Sequence, residues 1–126
     1  MEDLHHQSMR IQVIGDESIN DQARTYAEYR LFAALAEVID TNRVELASLR
    51  LRRVTTRRPS HNVICTIVID FDDGDIVRLQ ASGAHPYAAV NRGVDRLRQR
   101  IRKARGASRP QPLSSSERSD SGAVSG

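Results

Sequence analysis

Residues 62–82, NVICTIVIDF-DDGD-IVRLQAS, constrain the chain more than any other stretch. Two apolar runs of strand length flank a four-residue Asp/Gly turn, where Gly74 is free to adopt a positive φ. Side chains alternate along a strand, so Val63, Cys65, Ile67, Ile69 and Phe71 share one face and Ile64, Thr66, Val68 and Asp70 the other. This reads as a β-hairpin. A further strand-like run, VELASLRLRRVTT (44–56), precedes it, with Ala47, Leu49 and Leu51 on one face and Arg50 and Arg52 on the opposite one. Pro59, in RRPSH (57–61), bars a continuous ladder between the two. RIQVIG (10–15) also alternates and ends at a glycine.

Two segments have helical spacing instead. From Ile19 to Ile39, Ala23, Ala27, Leu31, Ala34, Leu35 and Val38 fall on one stripe, with Tyr26 at its edge and Asp16, Ser18 and Asn20 available as caps. From Pro86, a residue suited to a first turn, Tyr87, Val90, Val94, Leu97, Ile101 and Ala104 fall within about 100° of arc. The order is β-α-β-β-β-α. The expected fold is α+β, a four-stranded mixed sheet with two helices packed on one face, since each helix has one apolar stripe to bury. A right-handed crossover makes the first two strands parallel if adjacent, and the rest form antiparallel hairpins. The expected organisation is a flexible N-terminus (1–9), an α/β domain (10–106) and a disordered Ser/Pro-rich tail (107–126) whose composition offers little to bury.

Composition narrows the function classes. The chain of 126 residues has no Trp and 39% hydrophobic residues, so the core must be aliphatic. A single cysteine, Cys65, forms no internal disulfide and reads as a buried thiol. No run approaches the roughly 18 apolar residues of a membrane span. MEDLHHQSMR is unlike a secretory signal. A soluble, cytoplasmic protein is expected. His5, His6, His61 and His85 lack metal-ligand spacing with Cys65. The four carboxylates of DFDDGD lack a calcium-loop register. No nucleophile–base pair and no phosphate-cradling glycine loop is present. The expectation is a non-enzyme with no cofactor, no metal and no small-molecule substrate.

Charge points to a partner. Residues 1–83 hold ten basic and thirteen acidic side chains, whereas residues 84–106 hold seven and one. On the second helix Arg92, Arg96, Arg100 and Lys103 lie opposite the apolar stripe, while Arg98, Arg102 and Arg105 border it. Like charges at i,i+4 repel by a few tenths of a kcal/mol each. The helix macrodipole accounts for cations in the last turn but not for Arg92 and Arg96. Opposite a polyanion the same ridge becomes favourable through counterion release. Arg24 and Arg30 on the first helix and Arg57 and Arg58 in the loop before the third strand add to it. With the helices side by side, flanking cations could converge on a groove that reads phosphate positions rather than bases. Only Tyr29 and Phe32 lie off the core stripes, which disfavours a base-stacking platform.

The last helix, YAAVNRGVDRLRQRIRKAR (87–105), resembles that of the ribosome hibernation-promoting factor and ribosome-associated inhibitor A family. That family's helix runs Tyr-Ala-Ala, an aliphatic residue, Asp or Asn, two variable positions, an aliphatic residue, Asp, a basic residue, Leu, then a basic tail. Tyr87, Ala88, Ala89, Val90, Asn91, Val94, Asp95, Arg96, Leu97, Ile101 and Lys103 match it in order. LQASGAHPYAAV resembles the approach to that helix, and INDQARTYAEYRLFAAL is loosely similar to the family's first helix. The resemblance covers about residues 10–105. Ala33 and Gln99 depart from it, standing where basic residues are common. It implies the β-α-β-β-β-α fold and a non-catalytic factor that binds the small ribosomal subunit near the decoding region and inhibits translation during stress or stationary phase. It implies ribosomal RNA contacts for Arg24, Arg30, Arg96 and Lys103. Helix geometry adds Arg92 and Arg100, and the loop adds Arg57 and Arg58. A short form is implied, with homo-oligomerisation not expected. The alternatives are another RNA-binding module of the double-stranded-RNA-binding type, a small protein-interaction domain, or a small enzyme.

Overall fold

The computed structural model describes residues 9–108, with side chains as far as Ala104. The flexible lead-in and disordered tail expected from sequence lie, but for Met9, Ala107 and Ser108, outside the described residues. Met9 packs against the core, and the last helix runs on through Ser108.

Alternation and helical spacing produce the expected elements. They are β1 (Arg10–Gly15), α1 (Asp21–Val38), β2 (Val44–Arg53), β3 (Val63–Phe71), β4 (Ile76–Gly83) and α2 (Pro86–Ser108). Short 3-10 turns occupy Thr41–Arg43 and Pro59–His61, the second starting at the proline that interrupts the ladder. The strands lie in the order β1-β2-β3-β4. β1 pairs parallel with β2, Arg10 opposite Leu46 and Gly15 opposite Leu51, and the other neighbours are antiparallel. Both helices cover one face: α1 packs on β1 and β2, and α2 on β4 and β3. Gly74 has a φ of 94° in the β3–β4 turn, which favours glycine there.

Asn20 caps α1, its side-chain oxygen accepting from the Ala23 N–H at 2.8 Å. All six residues of the expected α1 stripe are buried. Ala47, Leu49, Leu51, Val63, Cys65, Ile67 and Ile69 form the opposing layer, also buried. Fully burying a side chain of Leu or Ile size stabilises by about 1.5–3 kcal/mol, so an aliphatic layer suffices without Trp. Burial pushes the Cys65 thiol up to about 12, the mark of an inert packing residue. In the β1–α1 turn, Asp16 accepts from the Ser18 hydroxyl and N–H and, at 3.2 Å, from the Arg53 N–H. These bonds, the Ser18 hydroxyl first, hold its carboxyl below the ordinary aspartate value.

Two local differences from the sequence reading have physical causes. Val44 and Ala47 both face the core, which a regular strand forbids for residues three apart. The β2–β3 register shifts between Val44 and Leu46, and exposed Glu45 absorbs the extra residue as a bulge. On α2 the core stripe includes Ala89 and Gly93, while Ala104 is exposed and Tyr87 lies at the rim. A Cβ on Gly93 would sit 2.9 Å from Cys65 Sγ. The missing side chain is therefore what lets α2 approach β3 so closely.

Candidate nucleic-acid interface

α1 and α2 run parallel. Tyr26 meets Tyr87, Arg30 meets Asn91 and Glu37 meets Arg98, always 61 residues apart. Asn91 Oδ1 is the node of the upper contact, accepting from the Tyr26 hydroxyl at 2.7 Å and from Arg30 Nε at 3.1 Å. Lower down, Glu37 accepts from Arg98 at 3.1 Å and from Arg102 at 2.7 Å. Arg98 also pairs with Asp95 at 3.2 Å. The cations bordering the helix groove are thus partly neutralised by the chain's own carboxylates.

The far side of α2 differs. Arg92 Nη1 donates to the Ser82 carbonyl at 3.2 Å, Arg96 Nη1 to that of Gln80 at 2.6 Å, and Arg100 Nη1 to that of Arg78 at 3.3 Å. Successive turns of α2 thereby meet alternate residues of β4, the edge strand. Among the described residues no carboxylate pairs with any of these arginines or with Lys103, and all four are exposed. Arg96, Arg100 and Lys103 line a shallow depression with Leu79 and Gln99. The charge of this ridge is positioned without being cancelled.

The other expected site residues do not gather here. Arg24 folds back on the β1–α1 turn, donating to the carbonyls of Gly15, Ile19 and Asp16 at 3.1, 3.3 and 3.4 Å. Arg30 lies in the groove between the helices. Arg57 and Arg58 are exposed in the β2–β3 loop, at the sheet end where both helices begin. The eight cations therefore fall into separate groups. Only Arg92, Arg96, Arg100 and Lys103 form a continuous row.

Arg50 and Arg52 stand, as the alternation of β2 predicts, on the uncovered face of the sheet, and Arg78, which the sequence reading did not place, joins them there; all three are exposed, with no side-chain partner among the described residues. The sequence reading set Tyr29 and Phe32 apart from the core stripes and did not see that the three tyrosines come together. Tyr26, Tyr29 and Tyr87 line one depression between the helix N-terminal halves. The register of the helix pair would have revealed this, and one sequence does not contain it.

The acidic hairpin is held by an arginine: Arg43 reaches Asp73 at 3.0 Å and Asp72 at 3.9 Å. Among the described residues no three His, Cys, Asp or Glu side chains gather as metal ligands. No helix among them is long and apolar enough to cross a membrane.

The family model of the sigma 54 modulation protein / S30EA ribosomal protein matches residues 11–109. Among curated protein sequences, none matches this chain. Among solved structures, the chain is similar to the N-terminal domain of Thermus thermophilus Protein Y, with 28% identity and a TM-score of 0.58 over 76% of this chain and 99% of that one. It is also similar in fold to a ribosomal subunit interface protein from Coxiella burnetii, with 16% identity and a TM-score of 0.60 over 78% of this chain and 99% of that one.

Proposed function

Because this chain belongs to the sigma 54 modulation protein / S30EA ribosomal protein family, we propose that it is a cytoplasmic, non-catalytic factor that lays its α2 ridge against ribosomal RNA of the small subunit. Its family makes it a ribosome-associated factor. The finer reading is that it sits near the decoding region and keeps idle ribosomes from translating during stress. One observation carries the choice of surface. Arg92, Arg96, Arg100 and Lys103 form an exposed row that no carboxylate of the described chain neutralises, whereas Arg98 and Arg102 are already engaged by Glu37. An uncompensated cationic row gains by releasing counterions from a phosphate backbone. Contacts of this kind position a protein on RNA through shape and phosphate, with no reacting atom to serve. Inhibition then follows from occupancy. Arg24 and Arg30 support the surface by fixing the α1 turn and the spacing of the helices.

Cosedimentation with separated ribosomal subunits tests the reading. Arg96→Glu with Lys103→Glu is expected to abolish pelleting with the small subunit while the far-ultraviolet circular dichroism stays unchanged. Undiminished pelleting of that variant removes the ridge from the interface. Free duplex RNA added in excess should compete poorly; efficient competition would favour a general double-stranded RNA binder.

A further inference from the structure

The chain contains three tyrosines and no tryptophan. All three tyrosines line a single depression, which Asp21, Gln22 and Thr25 complete. Tyr26 is its fixed wall, for its hydroxyl is tied to Asn91 at 2.7 Å and its ring meets Tyr87 edge-on at a centroid distance of 5.0 Å. Tyr87 and Tyr29 are 36% and 67% exposed, so aromatic surface is open to solvent in a shallow, wide-mouthed depression. Phe32, half exposed, lies one turn further along α1. Tyr26 packs against the core, but packing does not ask for a ring as exposed as that of Tyr29 beside it.

We propose that this tyrosine depression receives one unstacked nucleobase of the bound RNA. The proposal rests on the ribosomal RNA reading above and extends it from phosphate to base. An aromatic wall offers stacking to any base, since every base has a π-face. Gln22 and Thr25 supply donors and acceptors at the rim for a base edge. Asp21 disfavours a phosphate in the depression itself, which selects the base over the backbone. Arg30 is bound to Asn91 through Nε, and its other donors are uncommitted among the described residues, so the phosphate next to that base has a cation beside the aromatic wall. Recognition of splayed-out bases by aromatic side chains is the common route to reading single-stranded RNA.

The absence of tryptophan makes the test direct, because ultraviolet emission of this chain comes from the three residues in question. Two probes are compared: a hexamer of adenylate RNA and inorganic polyphosphate of equal charge. The RNA is expected to quench tyrosine emission on binding, and polyphosphate to bind without quenching. Tyr29→Ala should weaken RNA binding roughly five- to hundredfold, leave polyphosphate binding unchanged and leave the circular dichroism intact. Tyr29→Phe should restore RNA binding. Equal quenching by both probes, no quenching by RNA, or undiminished RNA binding by Tyr29→Ala overturns the proposal. A Tyr29→Ala null result alongside loss of subunit binding in the Arg96→Glu, Lys103→Glu variant removes the base site and leaves the phosphate ridge standing. Undiminished subunit binding by that ridge variant removes the ridge, and the fluorescence comparison still decides the base site.

Discussion

Arg92, Arg96 and Arg100 are not loose surface charges, and their spacing explains why. Four residues of helix rise about 6 Å, and two residues of strand about 6.7 Å, so two antiparallel elements meet nearly in step. Phe71 N–H donates to the Asp75 carbonyl at 2.9 Å, which fixes the phase of the β3–β4 ladder. Counting from it, Arg78, Gln80 and Ser82 are the residues whose carbonyls point away from β3, toward α2. Each arginine spends one Nη1 donor on such a carbonyl and keeps the rest of its planar fork for another acceptor. Lysine keeps the charge but has no fork to divide between strand and phosphate. Replacing all three by Lys is therefore expected to weaken small-subunit binding roughly tenfold, about 1.4 kcal/mol, at constant net charge, as measured by cosedimentation titration. Equal affinity would mean that charge alone matters at this row.

Among the elements, legibility followed how much of the constraint is local. The α1 stripe was readable because six buried residues repeat at spacings of three and four. The core face of β3 was readable because it alternates without interruption from Val63 to Ile69. The bulge at Glu45 was not, since one extra residue shifts the parity of a strand without changing its composition. Gly93 was not, because a residue with no side chain adds nothing to an apolar stripe; its meaning is the 2.9 Å that a Cβ would leave to Cys65 Sγ. Gly93→Ala should overpack the α2–β3 contact and cost about 1–3 kcal/mol in denaturant unfolding. Cys65→Ala in the same chain should recover part of that loss, because the new methyl then faces the Cys65 Cβ position at 3.6 Å. Simple additivity of the two substitutions would show that they do not meet.

For the molecule as a whole, charge summed along the sequence and charge arranged in space tell different stories. Residues 1–83 hold more acid than base, yet Glu37 takes up Arg98 and Arg102, and Asp72 and Asp73 take up Arg43. The pairing spends carboxylates on the helix groove and the hairpin and leaves the outer row of α2 uncompensated. The amphipathic pattern of α2 made that row legible; which of its arginines carry free charge depended on Glu37, 61 residues before Arg98 and beyond the reach of local reasoning. The two sets of cations are consequently unequal in salt. Each cation that neutralises a phosphate contributes about one unit to the slope of log affinity against log salt. Arg96→Gln with Lys103→Gln should lower that slope by about two. Arg98→Gln with Arg102→Gln removes the same formal charge but frees Glu37, and it should lower the slope by less than one. Small-subunit binding measured for both variants across a salt series decides the matter, and matching changes in slope would mean that the groove cations touch phosphate as fully as the outer row.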